Sequence, residues 1–104
     1  KWIISSLSSS AKIYIDQGAS KALKSGKSLL PAGIVKILGN FKKGENIVIV
    51  DNNNIDIARA LSSFSSEEIS KIKGLQSSQI ENILGYASKS EIVHKNDIVI
   101  LWRN

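Results

Sequence analysis

Apolar and polar residues alternate from Lys12 to Asp16, where KIYID puts Ile13 and Ile15 on one side of an extended chain. Asp16 then stands where a helix N-cap belongs. Ala19, Ala22 and Leu23 follow at helical spacing, with Lys21 and Lys24 on other faces. Gly26 comes next, at the place where a left-handed residue ends a helix. Pro31 and Gly33 mark a turn, and IVKIL over Ile34–Leu38 reads as a strand. Gly39–Asn40 and Lys42–Gly44 are turn chemistry on either side of Phe41. A β-branched strand over Asn46–Val50 and an alternating one over Ile55–Leu61 flank the turn DNNN, so the pattern predicts a hairpin.

The pattern changes after this hairpin. Ser65 followed by Glu68 is a capping-box signature, with Ile69 and Ile72 as the buried face and Gly74 as the stop. Ser78 followed by Glu81 repeats the signature and predicts burial of Ile80, Ile83 and Leu84, with Gly85 as the stop. Glu91–His94 and Ile98–Trp102 are predicted strands around the turn KND. About six short strands and three short helices favour a mainly β chain with short helices (α+β), closed or half-closed into a small barrel. A doubly wound sheet would need strands alternating with long helices. SSLSSS over Ser5–Ser10 is low in complexity, so residues 1–11 read as a lead-in and 12–104 as one domain.

Charge adds a direction to this picture. The net charge is +5 and is uneven: residues 1–50 carry eight lysines against Asp16 and Glu45, whereas residues 51–104 carry six basic and seven acidic groups. An excess confined to one half favours a polyanionic partner. The chain has no cysteine, which excludes a disulfide framework and a thiolate metal site and fits a cytoplasmic location. No apolar run approaches the ~18 residues of a membrane span. The stretch Ser25–Glu45 holds four of the seven glycines and the only proline. Its GKS at Gly26–Ser28 copies the end of a phosphate-binding loop, but the earlier glycine of that signature is absent and a proline turn follows instead of a helix. His94 is the only histidine and has no partner legible in the sequence, and Glu67–Glu68 suits the first turn of a helix. No catalytic residue and no metal site is assigned.

DQGASKAL (Asp16–Leu23), SLLPAGIVKILGNFKKGE (Ser28–Glu45), IARALSSFSSEEI (Ile57–Ile69), ILGY (Ile83–Tyr86) and VHKND (Val93–Asp97) together resemble the C-terminal domain of the bacterial glutamate 5-kinase family. KWI at Lys1–Ile3 resembles the join to the preceding domain. That C-terminal domain is of the PUA type, named after pseudouridine synthase and archaeosine transglycosylase. The resemblance implies a PUA-like β pseudobarrel. It implies a parent enzyme that phosphorylates the side-chain carboxylate of glutamate with ATP and Mg²⁺, the first step of proline synthesis. In that family the active site lies in an N-terminal amino-acid-kinase domain of roughly twice this length. The chain by itself is therefore expected to be a monomer with no catalysis and no cofactor, and its first partner is its own kinase domain.

PUA domains of RNA-modifying enzymes bind RNA through the first helix, the loop after it and the next strand. The resemblance carries that surface onto Gly18, Lys21, Lys24, Lys27, Leu30, Gly33 and Lys36, with RNA as the second partner class. This region, Gly18 to Lys36, contains neither an acid nor an aromatic residue. The chain departs from the family pattern at three positions: Ala60 stands where glycine is usual, Phe64 where tyrosine is common, and Lys95 where arginine is common.

Overall fold

The computed structural model describes residues 11–85 and 91–101. Its elements run β1 (Lys12–Ile15), α1 (Gln17–Lys24), β2 (Ile34–Leu38), β3 (Asn46–Val50), β4 (Asp56–Leu61), α2 (Ser66–Ile72), α3 (Ile80–Leu84) and β5 (Ile98–Ile100). The strands form one sheet in the order β2-β1-β3-β4-β5. β1 and β3 run parallel, and the other neighbours are antiparallel. The predicted hairpin is β3–β4. Its turn is held by Asp51, whose buried carboxylate accepts the N–H groups of Asn53 and Ile55.

The period-two pattern of the strands sets the core. Ile13, Ile49 and Ala58 stand opposite one another across β1, β3 and β4, and all three are fully buried. Ile47 and Ala60 form a second buried pair in the same layer. A larger side chain at Ala60 would enter this layer, while Phe64 is itself fully enclosed and needs no partner for a hydroxyl. α2 brings Ile69 and Ile72 to the same core.

Among the described residues, what turns this sheet into a pseudobarrel is an antiparallel bridge between Leu29 and Val93. Leu29 lies just upstream of edge strand β2 and Val93 just upstream of the opposite edge strand β5. The Leu29 N–H donates to Val93 O at 3.0 Å, and the Ile92 N–H donates to Leu29 O at 2.8 Å. The lead-ins to the two outer strands are thereby tied to each other.

Several expectations are corrected. The sheet has five strands, because Glu91–His94 does not form one. The backbone groups of that segment are divided between Leu29 on one side and Ser63, whose N–H donates to Ile92 O, on the other. Groups shared in this way make a bridge and not a ladder. The last strand ends at Ile100, and Trp102 lies outside the described residues, as does the predicted lead-in up to residue 10. Ala11 is buried, and its carbonyl accepts the Val48 N–H.

The capping box at Ser65 and Glu68 forms as predicted, with both reciprocal hydrogen bonds present. The box predicted at Ser78 and Glu81 does not. A 3-10 turn over Ser77–Gln79 precedes α3, with the Gln76 N–H donating to Gln79 Oε1 at 3.3 Å and the Gln79 N–H donating to the Gln76 backbone O at 2.9 Å. α3 is only five residues long, so Ile80 is buried and Leu84 half-buried while Ile83 is 46% exposed. One turn of helix has room for one inward face.

Ser65→Ala removes the side-chain acceptor for the Glu68 N–H and is expected to cost about 1 kcal/mol of stability. Urea denaturation should show a lower midpoint at unchanged slope. An unaltered midpoint would mean that this cap contributes nothing.

Candidate functional site

α1 begins where Asp16 caps it: the carboxylate Oδ1 accepts the Ala19 N–H at 2.8 Å. The Asp16 backbone N–H donates to Gly33 O at 2.9 Å, which fastens the start of the helix to the turn before β2. Ser20 and Leu23 face the core, and Lys21 and Lys24 are exposed. The helix ends in a Schellman motif. The Gly26 N–H donates to Leu23 O and the Lys27 N–H to Ala22 O, each at 3.0 Å. Gly26 has φ +83°, which is why glycine stands there.

The turn Pro31–Gly33 is a 3-10 turn packed directly on α1. A Cβ placed on Gly33 would lie 2.5 Å from the Ala19 Cβ, so only glycine permits this approach. The Gly74 N–H, just beyond α2, donates to Pro31 O at 2.7 Å and supports the turn from below. A third wall comes from the far end of the chain. The Lys95 N–H donates to Ser28 Oγ at 2.9 Å across 67 positions of sequence. His94 serves this loop structurally, its Nδ1 accepting the Asn96 N–H.

These walls enclose a groove of about 590 Å³. α1 contributes Gly18, Ala19 and Ala22, together with its cap Asp16. The helix exit contributes Lys27, Ser28 and Leu30, the turn Ala32 and Gly33, and the late loop Glu91 and Lys95.

Of the seven residues singled out in the sequence, Gly18, Lys27, Leu30 and Gly33 line this groove. Lys21 and Lys24 stand exposed on α1 without lining it. Lys36 is on β2, opposite Tyr14 of β1, with its Nζ 4.6 Å above the ring of that tyrosine. The four lysines therefore do not form one cluster inside the groove. Asp16, Glu91 and Lys95 are site residues that the sequence reading passed over. Asp16 was legible only as a cap, and Glu91 and Lys95 reach the groove through the Leu29–Val93 bridge, which has no local signature. The stretch Gly18–Lys36 is free of acid in sequence, yet the groove beside it holds two carboxylates and two ammonium groups. Among the described residues no group of three His, Asp or Glu side chains is placed to hold a metal.

Residues 11–84 match the family model for the PUA domain. Among curated relatives, the chain is 59% identical over 99 residues to a glutamate 5-kinase of Pelagibacter ubique, and 50% identical over 99 residues to one of Bartonella henselae. Each alignment covers 95% of this chain but only 27% and 26% of the respective relative, so the chain spans about a quarter of the length of the curated relatives it matches. Among solved structures, a PUA domain from Aeropyrum pernix in a tartrate complex superposes with a TM-score of 0.60 at 16% identity, over 82% of this chain and 41% of the other. An archaeal box H/ACA sRNP complex matches with a TM-score of 0.59 at 22% identity, over 91% of this chain and 24% of the other.

Gly33→Ala is expected to destabilise the domain by about 1–3 kcal/mol, because the Ala19 methyl group has to move. The double variant Gly33→Ala with Ala19→Gly should recover most of that loss in urea denaturation. Failure of the second change to rescue would locate the cost of the first somewhere other than this contact.

Proposed function

Because the chain belongs to the PUA domain family, we propose that it serves as the non-catalytic C-terminal accessory domain of a glutamate 5-kinase. In this reading the parent phosphorylates L-glutamate with ATP and Mg²⁺ in the cytoplasm, and those cofactors belong to a separate amino-acid-kinase domain. The domain acts on the enzyme through contact with its kinase partner. The observation that carries the proposal is the match of nearly the whole chain to about a quarter of each kinase. That leaves the remaining length of the relatives to house the chemistry. Among the described residues the single histidine caps a turn, and Glu67 and Glu68 sit in the first turn of α2. Among the described residues no helix is long and apolar enough to cross a membrane.

The purified chain, given ATP, Mg²⁺ and glutamate, is expected to form no γ-glutamyl phosphate. The full-length enzyme without this domain is expected to keep glutamate phosphorylation but to respond differently to proline and Mg²⁺. Activity of the fragment alone, or a truncated enzyme identical to the whole in both responses, would overturn the reading.

A second reading, RNA binding, is favoured by the exposed lysines around the groove, Lys21, Lys24, Lys27 and Lys36. The ribonucleoprotein relative shares the fold. Lysines at the surface attract phosphates without reading sequence. If four phosphates on single-stranded RNA are neutralised, log K should fall with log salt at a slope of roughly −3. Titration of labelled RNA at two salt concentrations checks this, using the wild type and a variant with all four lysines changed to glutamine. Absence of binding at low salt, or binding that the variant retains, would remove this reading.

A further inference from the structure

The groove beside α1 carries a charge complement of its own, distinct from the lysines outside it. Asp16, Lys27, Glu91 and Lys95 all line it, and among the described residues none of the four is held in an ion pair. Three of these residues lie on neighbouring backbone segments at one end. Lys27 directly precedes Ser28, whose Oγ accepts the Lys95 N–H, and Glu91 directly precedes Ile92, whose N–H donates to Leu29 O. Asp16 stands at the other end, beyond the eight residues of α1. At a rise of 1.5 Å per residue that is a span of about 12 Å. Ala19, Ala22 and Leu30 give the stretch between an apolar lining.

Each part of this arrangement selects against a simpler ligand. A polyanion meets two carboxylates here, and a hydrocarbon meets four unpaired charges. A molecule that carries an ammonium and a carboxylate on one carbon satisfies the crowded end. An apolar arm with a cationic tip satisfies the rest.

We propose that this groove binds a free α-amino acid with a basic side chain. The ligand carboxylate lies between Lys27 and Lys95, and its α-ammonium donates to Glu91. The aliphatic arm crosses Ala19, Ala22 and Leu30, and the cationic tip reaches Asp16. The cap bond uses one lone pair of the Asp16 carboxylate and leaves acceptor capacity free. The proposal stands on the groove alone and is independent of which enzyme carries the domain.

The test is titration of this 104-residue chain at constant ionic strength, followed by amide chemical shifts. The probes are L-lysine, cadaverine (no carboxylate), 6-aminohexanoate (no α-ammonium) and L-glutamate. L-lysine is expected to give saturable shifts at Gly18 and Gly33. The other three are expected to bind about two- to fivefold more weakly, the effect of losing one solvent-exposed ion pair. Glu91→Gln and Lys27→Gln should each weaken L-lysine by a similar factor, with resonances outside the groove unmoved to confirm the fold. The proposal is overturned by any of three results: no saturable shift with L-lysine, equal affinity for all four probes, or both variants binding like the wild type. Single-stranded RNA that shifts the same groove amides and is not displaced by L-lysine would also overturn it.

Discussion

The bridge between Leu29 and Val93 is the constraint on which the rest of this molecule depends. A five-stranded sheet of such short strands would otherwise end in two open edges. Tying the lead-ins of β2 and β5 together buries Leu29, Ile92 and Val93 almost completely and links two segments more than sixty residues apart. The same bridge sets Ser28 beside Lys95 and brings Glu91 to the loop that follows α1. Closure of the barrel and assembly of the groove are thus one event. A loss of pairing at this point would cost core packing and the third wall of the site together.

The second wall depends on atoms that are missing. Gly33 lets the Pro31–Gly33 turn approach Ala19 to a distance at which any side chain would collide. The Asp16 N–H then reaches Gly33 O, and the helix lies against the turn along its small residues. Larger residues at Gly18, Ala19 or Ala22 would fill the space that the groove now offers. The small side chains have a packing role at Ala19 and leave an open lining beside it, which explains why this helix is amphipathic without being strongly apolar.

Charge divides between two places. Lys21, Lys24 and Lys36 are exposed outside the groove, and Lys36 spends part of its charge on the face of Tyr14. Inside the groove positive and negative groups are equal in number. The basic half of the sequence is therefore not a basic cavity. Exposed lysines and a groove of balanced charge lie next to each other on α1 and its exit loop.

The sequence by itself determined the elements whose causes are local. The cap at Asp16, the left-handed glycine at Gly26, the IVKIL strand, the β3–β4 hairpin and the Ser65–Glu68 box each rest on interactions within a few residues, and each formed where the pattern placed it. The family motifs likewise carried the fold class, because they mark those same turns and caps. Where the cause is tertiary, local pattern failed. Glu91–His94 has the composition of a strand, but its backbone partners come from two different segments. Ile83 has helical spacing, but α3 is too short to turn it inward. The membership of the groove was decided in the same way. Gly18, Lys27, Leu30 and Gly33 lie close in sequence and could be singled out from it, whereas Glu91 and Lys95 join them only because the bridge at Leu29 brings a distant loop to α1. A contact across so many residues leaves no periodicity or spacing in the chain, because it is selected by the free energy of closing the barrel and not by the conformation of its neighbours.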